Sequence, residues 1–115
     1  MHFIVTKFAL HHLPDFWKVT ALRRMWRSLR SRGILYLQDV VFSFDPDEQD
    51  QVIEEWIDGA VRSGSFSRDE FEMHVRDEYS TYGKLMEKML RIAGFRIRNA
   101  NYYSKVQADY LCERG

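Results

Sequence analysis

The chain has 115 residues, 45% hydrophobic and 15% aromatic, enough for one domain with a packed core. Lys plus Arg and Asp plus Glu both total 17, and the resulting zero net charge argues against a general polyanion binder. One cysteine, Cys112, excludes an intrachain disulfide framework and a cysteine-based zinc site, and no apolar run approaches the ~20 residues that span a bilayer.

Residues 2–10, HFIVTKFAL, are β-branched and aromatic with apolar side chains on both faces, which predicts a strand covered on both sides. Lys7, His11 and His12 interrupt this apolar run, so no secretory signal is read in it and a cytoplasmic location is expected. Pro14 fits the first turn of a helix, where a missing N–H is harmless, and Trp17, Ala21, Leu22, Met25, Trp26 and Leu29 follow at helical spacing up to Gly33. Residues 34–42, ILYLQDVVF, predict a second strand. Asp45 then reads as the cap of an acidic helix carrying Val52, Ile53, Trp56, Ile57, Ala60 and Val61, which Ser63-Gly64-Ser65 breaks. Ser67 and Glu70 form a capping-box pattern ahead of Phe71, Val75 and Tyr79. A last helix is expected to run to about Ala93, with Leu85, Met86, Met89 and Leu90 inward and Gly94 as its stop. Residues 95–101 and 106–113 predict two strands whose short connection makes them antiparallel.

The order β-α-β-α-α-α-β-β predicts an α/β fold. The segment ALHHLPDFWKVTALRRMWRSLRSRGILYLQDVVFSF, residues 9–44, resembles strand 4, the following helix and strand 5 of class I S-adenosylmethionine-dependent methyltransferases. The resemblance extends over the whole of 1–115, as a single domain equivalent to the C-terminal half of that Rossmann-like fold. It implies spatial strand order 4-5-7-6, with the last strand antiparallel. The implied activity is methyl transfer from S-adenosylmethionine to a small-molecule acceptor in the complete enzyme. The family's glycine-rich G-x-G-x-G cofactor loop does not occur in this sequence, nor does the acidic residue about 20 positions after it. Weak or no cofactor binding is therefore expected of this chain alone.

Ligands of open α/β sheets bind outside the carboxyl ends of the strands. By the resemblance, Lys7, Phe8, Ala9, Leu10, His11 and His12 lie along the cofactor, while Gln38 and Asp39 line the substrate side. His11 and His12 are adjacent, so two readings stay open: one packs while the other is solvated, or one of them rims the pocket. His74 and Glu78, four apart on one helix face, are either a plain helix-face pair or, by the family's usual substrate cover, groups that orient or deprotonate the acceptor. No metal role is assigned.

Lys18, Arg23, Arg24, Arg27, Arg30 and Arg32 make the first helix basic, but the acidic helix balances it, which argues against a nucleic-acid interface. In the complete fold the first strand lies inside the sheet. Here its edge is expected to be open, which predicts self-association through residues 2–8 or pairing with a separately encoded N-terminal half. A different class stays in view: a non-catalytic α/β interaction module that self-associates or docks to a partner.

Overall fold

Strand-forming residues from both ends of the chain meet in one mixed sheet. The computed structural model describes residues 1–64 and 67–115, and the side chains of residues 74, 76 and 77 lie outside that description. Strand β1 (Phe3–Lys7) runs parallel to β2 (Ile34–Phe42), with Phe3 opposite Ile34 and Lys7 opposite Gln38. The last two strands are β4 (Phe95–Ser104) and β5 (Gln107–Arg114), an antiparallel pair in which β5 also pairs antiparallel with β2. The sheet order is β1-β2-β5-β4, which is the expected 4-5-7-6. A strand of two residues, β3 (Thr81–Tyr82), lies parallel to Val41 and Phe42. It was not predicted, because two residues carry no periodic signal.

The chain divides into two compact units, one formed by Met1–Ser43 with Tyr79–Gly115 and the other by Phe44–Glu78. In the first, α1 (Asp15–Ser28) and α4 (Gly83–Ala93) pack on each other and on the sheet. Leu22, Leu29, Leu35, Leu37, Met86, Leu90, Ala108 and Cys112 form its core with Tyr110. Alternation along β2 and β5 supplies this layer: Leu35, Leu37 and Val41 face the helices, as do Ala108, Tyr110 and Cys112.

Several expectations need correction in this unit. The first strand stops at Lys7, because Phe8 takes φ +54 and turns the chain. Helix α1 ends at Ser28, five residues short of Gly33, and the Arg114 guanidinium donates to the carbonyls of Trp26 (3.0 Å), Arg27 (3.4 Å) and Leu29 at its end. An arginine there satisfies the orphan carbonyls and suits the negative end of the helix dipole. Trp17 is 53% exposed and Leu85 is 48% exposed, whereas Lys18 is fully buried. The buried stripe is centred on Leu22 and Leu29. A step of four residues back from Leu22 reaches Lys18, while a step of five reaches Trp17, ~140° round the helix.

Helix α4 ends as expected at Gly94, whose φ of +111 favours glycine. At its other end, a Cβ on Gly83 would sit 2.5 Å from Tyr102 Cε1 and 2.7 Å from its hydroxyl. That hydroxyl donates to Glu87 Oε2 at 2.5 Å and accepts from Tyr110 at 3.0 Å. Gly83→Ala is therefore expected to displace Tyr102, break this chain and destabilise by about 1–3 kcal/mol in chemical denaturation. A change below ~0.5 kcal/mol would show that the ring moves aside freely.

The same layer dictates the alkaline limit. Burial pushes the Cys112 thiol up from 9.0 to about 12, and burial with Glu87 as acceptor pushes Tyr102 up from 10.0 to about 12; Tyr110 is raised further in the same direction. The folded state keeps these protons where the unfolded chain has lost them. Stability is thus fully present below pH 9 and falls as pH rises toward 12, by ~1.4 kcal/mol per pH unit for each such group. Urea midpoints between pH 10.5 and 12, above the ordinary pKa of the buried Lys18, test this, and a flat profile there would refute it. Cys112 itself should stay inert to alkylation until the protein unfolds.

In the second unit the chain passes through a short 3-10 helix (Pro46–Glu48) into α2 (Gln49–Arg62), and α3 spans Arg68–Asp77. Asp45 makes no side-chain cap bond, because the 3-10 turn moves the start of the helix to Gln49. The Ser67 cap does form, with its Oγ accepting from the Glu70 N–H at 3.2 Å. Of the expected break, Gly64 has φ +77 and Ser65 lies outside the described residues. Trp56 and Phe71 meet edge-on with ring centroids 4.8 Å apart. Arg68 answers the acidic face of α2, reaching Glu54 at 2.6 Å and Asp58 at 3.2 Å, with Glu72 at 3.0 Å on its own helix. These pairs are exposed and screened by solvent, so they contribute little to stability. Among the described residues no helix is long and apolar enough to cross a membrane.

Candidate functional site

The two parallel strands end side by side, and the turn that leaves β1 is built on that end. The Phe8 N–H still donates to the Gln38 carbonyl at 2.8 Å, the last rung of the ladder, before the left-handed Phe8 swings the chain away. Ala9 then leads into a 3-10 turn, Leu10–His12, closed by His12 N–H to Ala9 O at 3.2 Å and Leu13 N–H to Leu10 O at 2.9 Å. Leu10 drops into the core and anchors the turn.

Asp39 holds the turn from below. Its carboxylate, fully buried, accepts the His11 backbone N–H at 3.0 Å and the Val40 N–H at 2.8 Å, and it lies 2.6 Å from His11 Nδ1. A turn whose first N–H groups lack partners is thus capped by a residue 28 positions away in sequence. Lys18 adds a second tie. Its ammonium, also fully buried, donates to Leu13 O at 2.6 Å and to Tyr79 O at 2.5 Å, with Asp15 Oδ1 at 3.6 Å. Burial pushes the Lys18 pKa below its usual 10.5, and the neighbouring Asp15 partly opposes that. Tyr79 in turn donates its N–H to His11 O at 2.7 Å, so the segment entering β3 is fastened once to the turn and once to α1.

The sequence-predicted site residues therefore separate by role. Lys7, Phe8, Ala9 and His12 are exposed and form the accessible surface of the turn. Leu10 and His11 are buried beneath it, so of the two histidines one packs and the other faces solvent, their rings 4.1 Å apart. Asp39 lies under the turn rather than on its surface, with its oxygens engaged by His11 and Val40. In the second unit, His74 lies on α3 with its side chain outside the described residues, and Glu78 follows α3 half-buried.

In the sequence Lys18 stands out only as one charge of a basic helix. The signal that would have found it is its spacing, since Lys18, Leu22, Met25 and Leu29 share one stripe and a lysine there must bring its ammonium to buried acceptors.

The turn fits S-adenosylmethionine in part. An exposed Phe8 ring and the Ala9 backbone supply an apolar, carbonyl-bearing wall, but Asp39 is turned inward and offers nothing to ribose hydroxyls.

No protein-family model and no curated protein matches this sequence. Solved structures match its fold. The mitomycin 7-O-methyltransferase MmcR superposes with a TM-score of 0.67 at 14% identity, over 99% of this chain and 30% of that one. LepI in complex with S-adenosylmethionine matches with a TM-score of 0.65 at 13% identity, over 99% of this chain and 26% of that one. A structure described as a pericyclic reaction enzyme matches equally, with a TM-score of 0.65 at 14% identity over the same shares of 99% and 26%. This chain thus spans less than a third of the length of each of them. The sheet order agrees with what the resemblance implied and the closing antiparallel hairpin with what the residues predicted, and the chain has the fold of the C-terminal part of an S-adenosylmethionine-dependent methyltransferase domain.

Proposed function

We propose that this chain contributes one wall of a methyl-transfer site, with S-adenosylmethionine as donor and a small molecule as acceptor in the complete enzyme. The observation that carries this reading is the Phe8–His12 turn at the joint carboxyl end of two parallel strands, clamped by Asp39 and Lys18. Methyl transfer depends on in-line positioning more than on acid–base groups, and a clamped turn is what positioning requires. When bound, the cofactor supplies an electrophilic methyl group on a sulfonium. Lys7, Phe8, Ala9 and His12 would line its methionine side, and Leu10 and His11 would hold that lining in place from below. Asp39 is assigned to orienting His11 and the turn. His74 and Glu78 remain proposed for the acceptor side, where they would orient or deprotonate the nucleophile.

A second reading, a non-catalytic interaction module, is favoured by one observation. β1 lies at the sheet edge with Phe3 and Val5 about half exposed, a surface suited to docking rather than catalysis.

An amide-shift titration with S-adenosylmethionine and S-adenosylhomocysteine separates the two. The methyl-transfer reading expects saturable shifts confined to residues 7–12 and their neighbours on β2, with Kd in the millimolar range for this partial site. Absence of any such shift at ~10 mM ligand would leave the interaction module as the working function.

A further inference from the structure

We propose that a second copy of this chain pairs antiparallel with β1 about Val5, joining two sheets across a two-fold axis. The inference rests on the open edge and not on the methyl-transfer reading.

The hydrogen-bond parity of β1 is set by the two bonds that bracket it. Ile34 N–H donates to His2 O at 2.9 Å and Phe8 N–H donates to Gln38 O at 2.8 Å. In a parallel ladder with Phe3 opposite Ile34, this turns the peptide groups of Ile4 and Thr6 toward β2. Those of Phe3, Val5 and Lys7 point out of the sheet edge. The side chains of Phe3 and Val5 are also exposed, so the same residues present both open backbone groups and apolar surface. On the other face of β1, an apolar groove of about 550 Å3 lies against α1, lined by Met1, Ile4, Leu13, Trp17, Ala21 and Met25.

Three features select a second copy as the occupant. First, the strand is self-complementary: pairing about Val5 sets Val5 against Val5 and Phe3 against Lys7, a β-branched pair flanked by two aromatic–cation pairs. About six backbone hydrogen bonds would form across the seam, all from groups now open. Second, a two-fold axis normal to the sheet keeps both α1 helices on one face and runs them antiparallel. Each copy's apolar groove and exposed Trp17 then lie on that shared face. Third, the area suffices. The exposed parts of Met1, Phe3, Val5, Phe8 and Trp17, two of which line the groove, amount to ~600 Å2 per copy, the lower end of the ~600–800 Å2 per partner of a stable interface.

The test is sedimentation velocity of the full chain from 5 to 200 μM alongside amide hydrogen exchange. The expected result is a species of twice the 13.8 kDa chain mass, with Phe3, Val5 and Lys7 amides protected at high concentration and exposed on dilution. Ile4 and Thr6, bonded to β2, should be protected at every concentration. Val5→Lys places two like charges on the axis, and Val5→Pro removes an outward N–H that β2 does not use. Both variants should keep the wild-type melting temperature within a few degrees and weaken association at least 100-fold. Should either variant unfold, the dilution series on the unaltered chain still decides the matter. A monomer at 200 μM, a dimer indifferent to both variants, or a dimer whose Phe3, Val5 and Lys7 amides exchange freely would each overturn the proposal.

Discussion

Asp39→Ala is expected to lower stability by about 3–5 kcal/mol, which for a chain of this size is a fall of ~10–20 °C in melting temperature. The carboxylate is fully buried and receives the His11 N–H, the Val40 N–H and His11 Nδ1, so its removal strands two backbone donors as well as the imidazole. This predicts an asymmetry between the partners. His11→Ala deletes the imidazole contact with Asp39 and leaves the backbone N–H groups satisfied, so it should destabilise by only about 1–3 kcal/mol. A double-mutant cycle isolates the side-chain pair itself. Equal losses for the two single variants would mean that the imidazole, and not the capping of the turn, is what Asp39 supports. An Asp39→Ala protein within ~1 kcal/mol of the parent would remove Asp39 from the clamp altogether. Because the turn carries the proposed cofactor wall, Asp39→Ala should also abolish any ligand-induced shifts at residues 7–12.

The second large effect is expected at Lys18. Lys18→Ala removes a buried four-carbon stem together with the donor to Leu13 O and Tyr79 O, and should cost about 3–5 kcal/mol. Lys18→Met keeps most of the volume, relieves the desolvated ammonium and leaves two carbonyls unpaired, so a loss of only about 1–2 kcal/mol is expected. A pH series supplies a readout that packing alone would not produce. Burial lowers the Lys18 pKa in the folded state, so between that value and 10.5 the unfolded chain binds the extra proton and stability rises with pH. Lys18→Met lacks this contribution, and its deficit relative to the parent should therefore widen as pH rises through that window. A deficit constant with pH would show that Lys18 acts only as packing volume.

The β2 segment was legible to the residue, and Gly94 marked the end of α4, because alternation, helical period and a left-handed glycine are local properties. The antiparallel hairpin followed from a connection too short to cross over. In α1 the period was read correctly and its phase was not. Trp17 is large and apolar and drew the stripe toward itself, while the true stripe carries a lysine whose burial is acceptable only because Leu13 and Tyr79 present carbonyls to it. Nothing near Lys18 in sequence announces Tyr79, 61 positions away.

The sequence by itself determined the class of fold, the order of its longer elements and the place of residues 7–12 where the chain leaves the first strand, but not the Phe8 turn itself. These depend on residues close together in the chain, whose conformational preferences act locally. Tertiary structure alone decided what that turn does. Which histidine is buried, that Asp39 caps the His11 backbone N–H from beneath the turn, and that the outward peptide groups of β1 belong to Phe3, Val5 and Lys7 all depend on strand register. Register is set by long-range pairing, where a shift of one residue exchanges every inward group for an outward one.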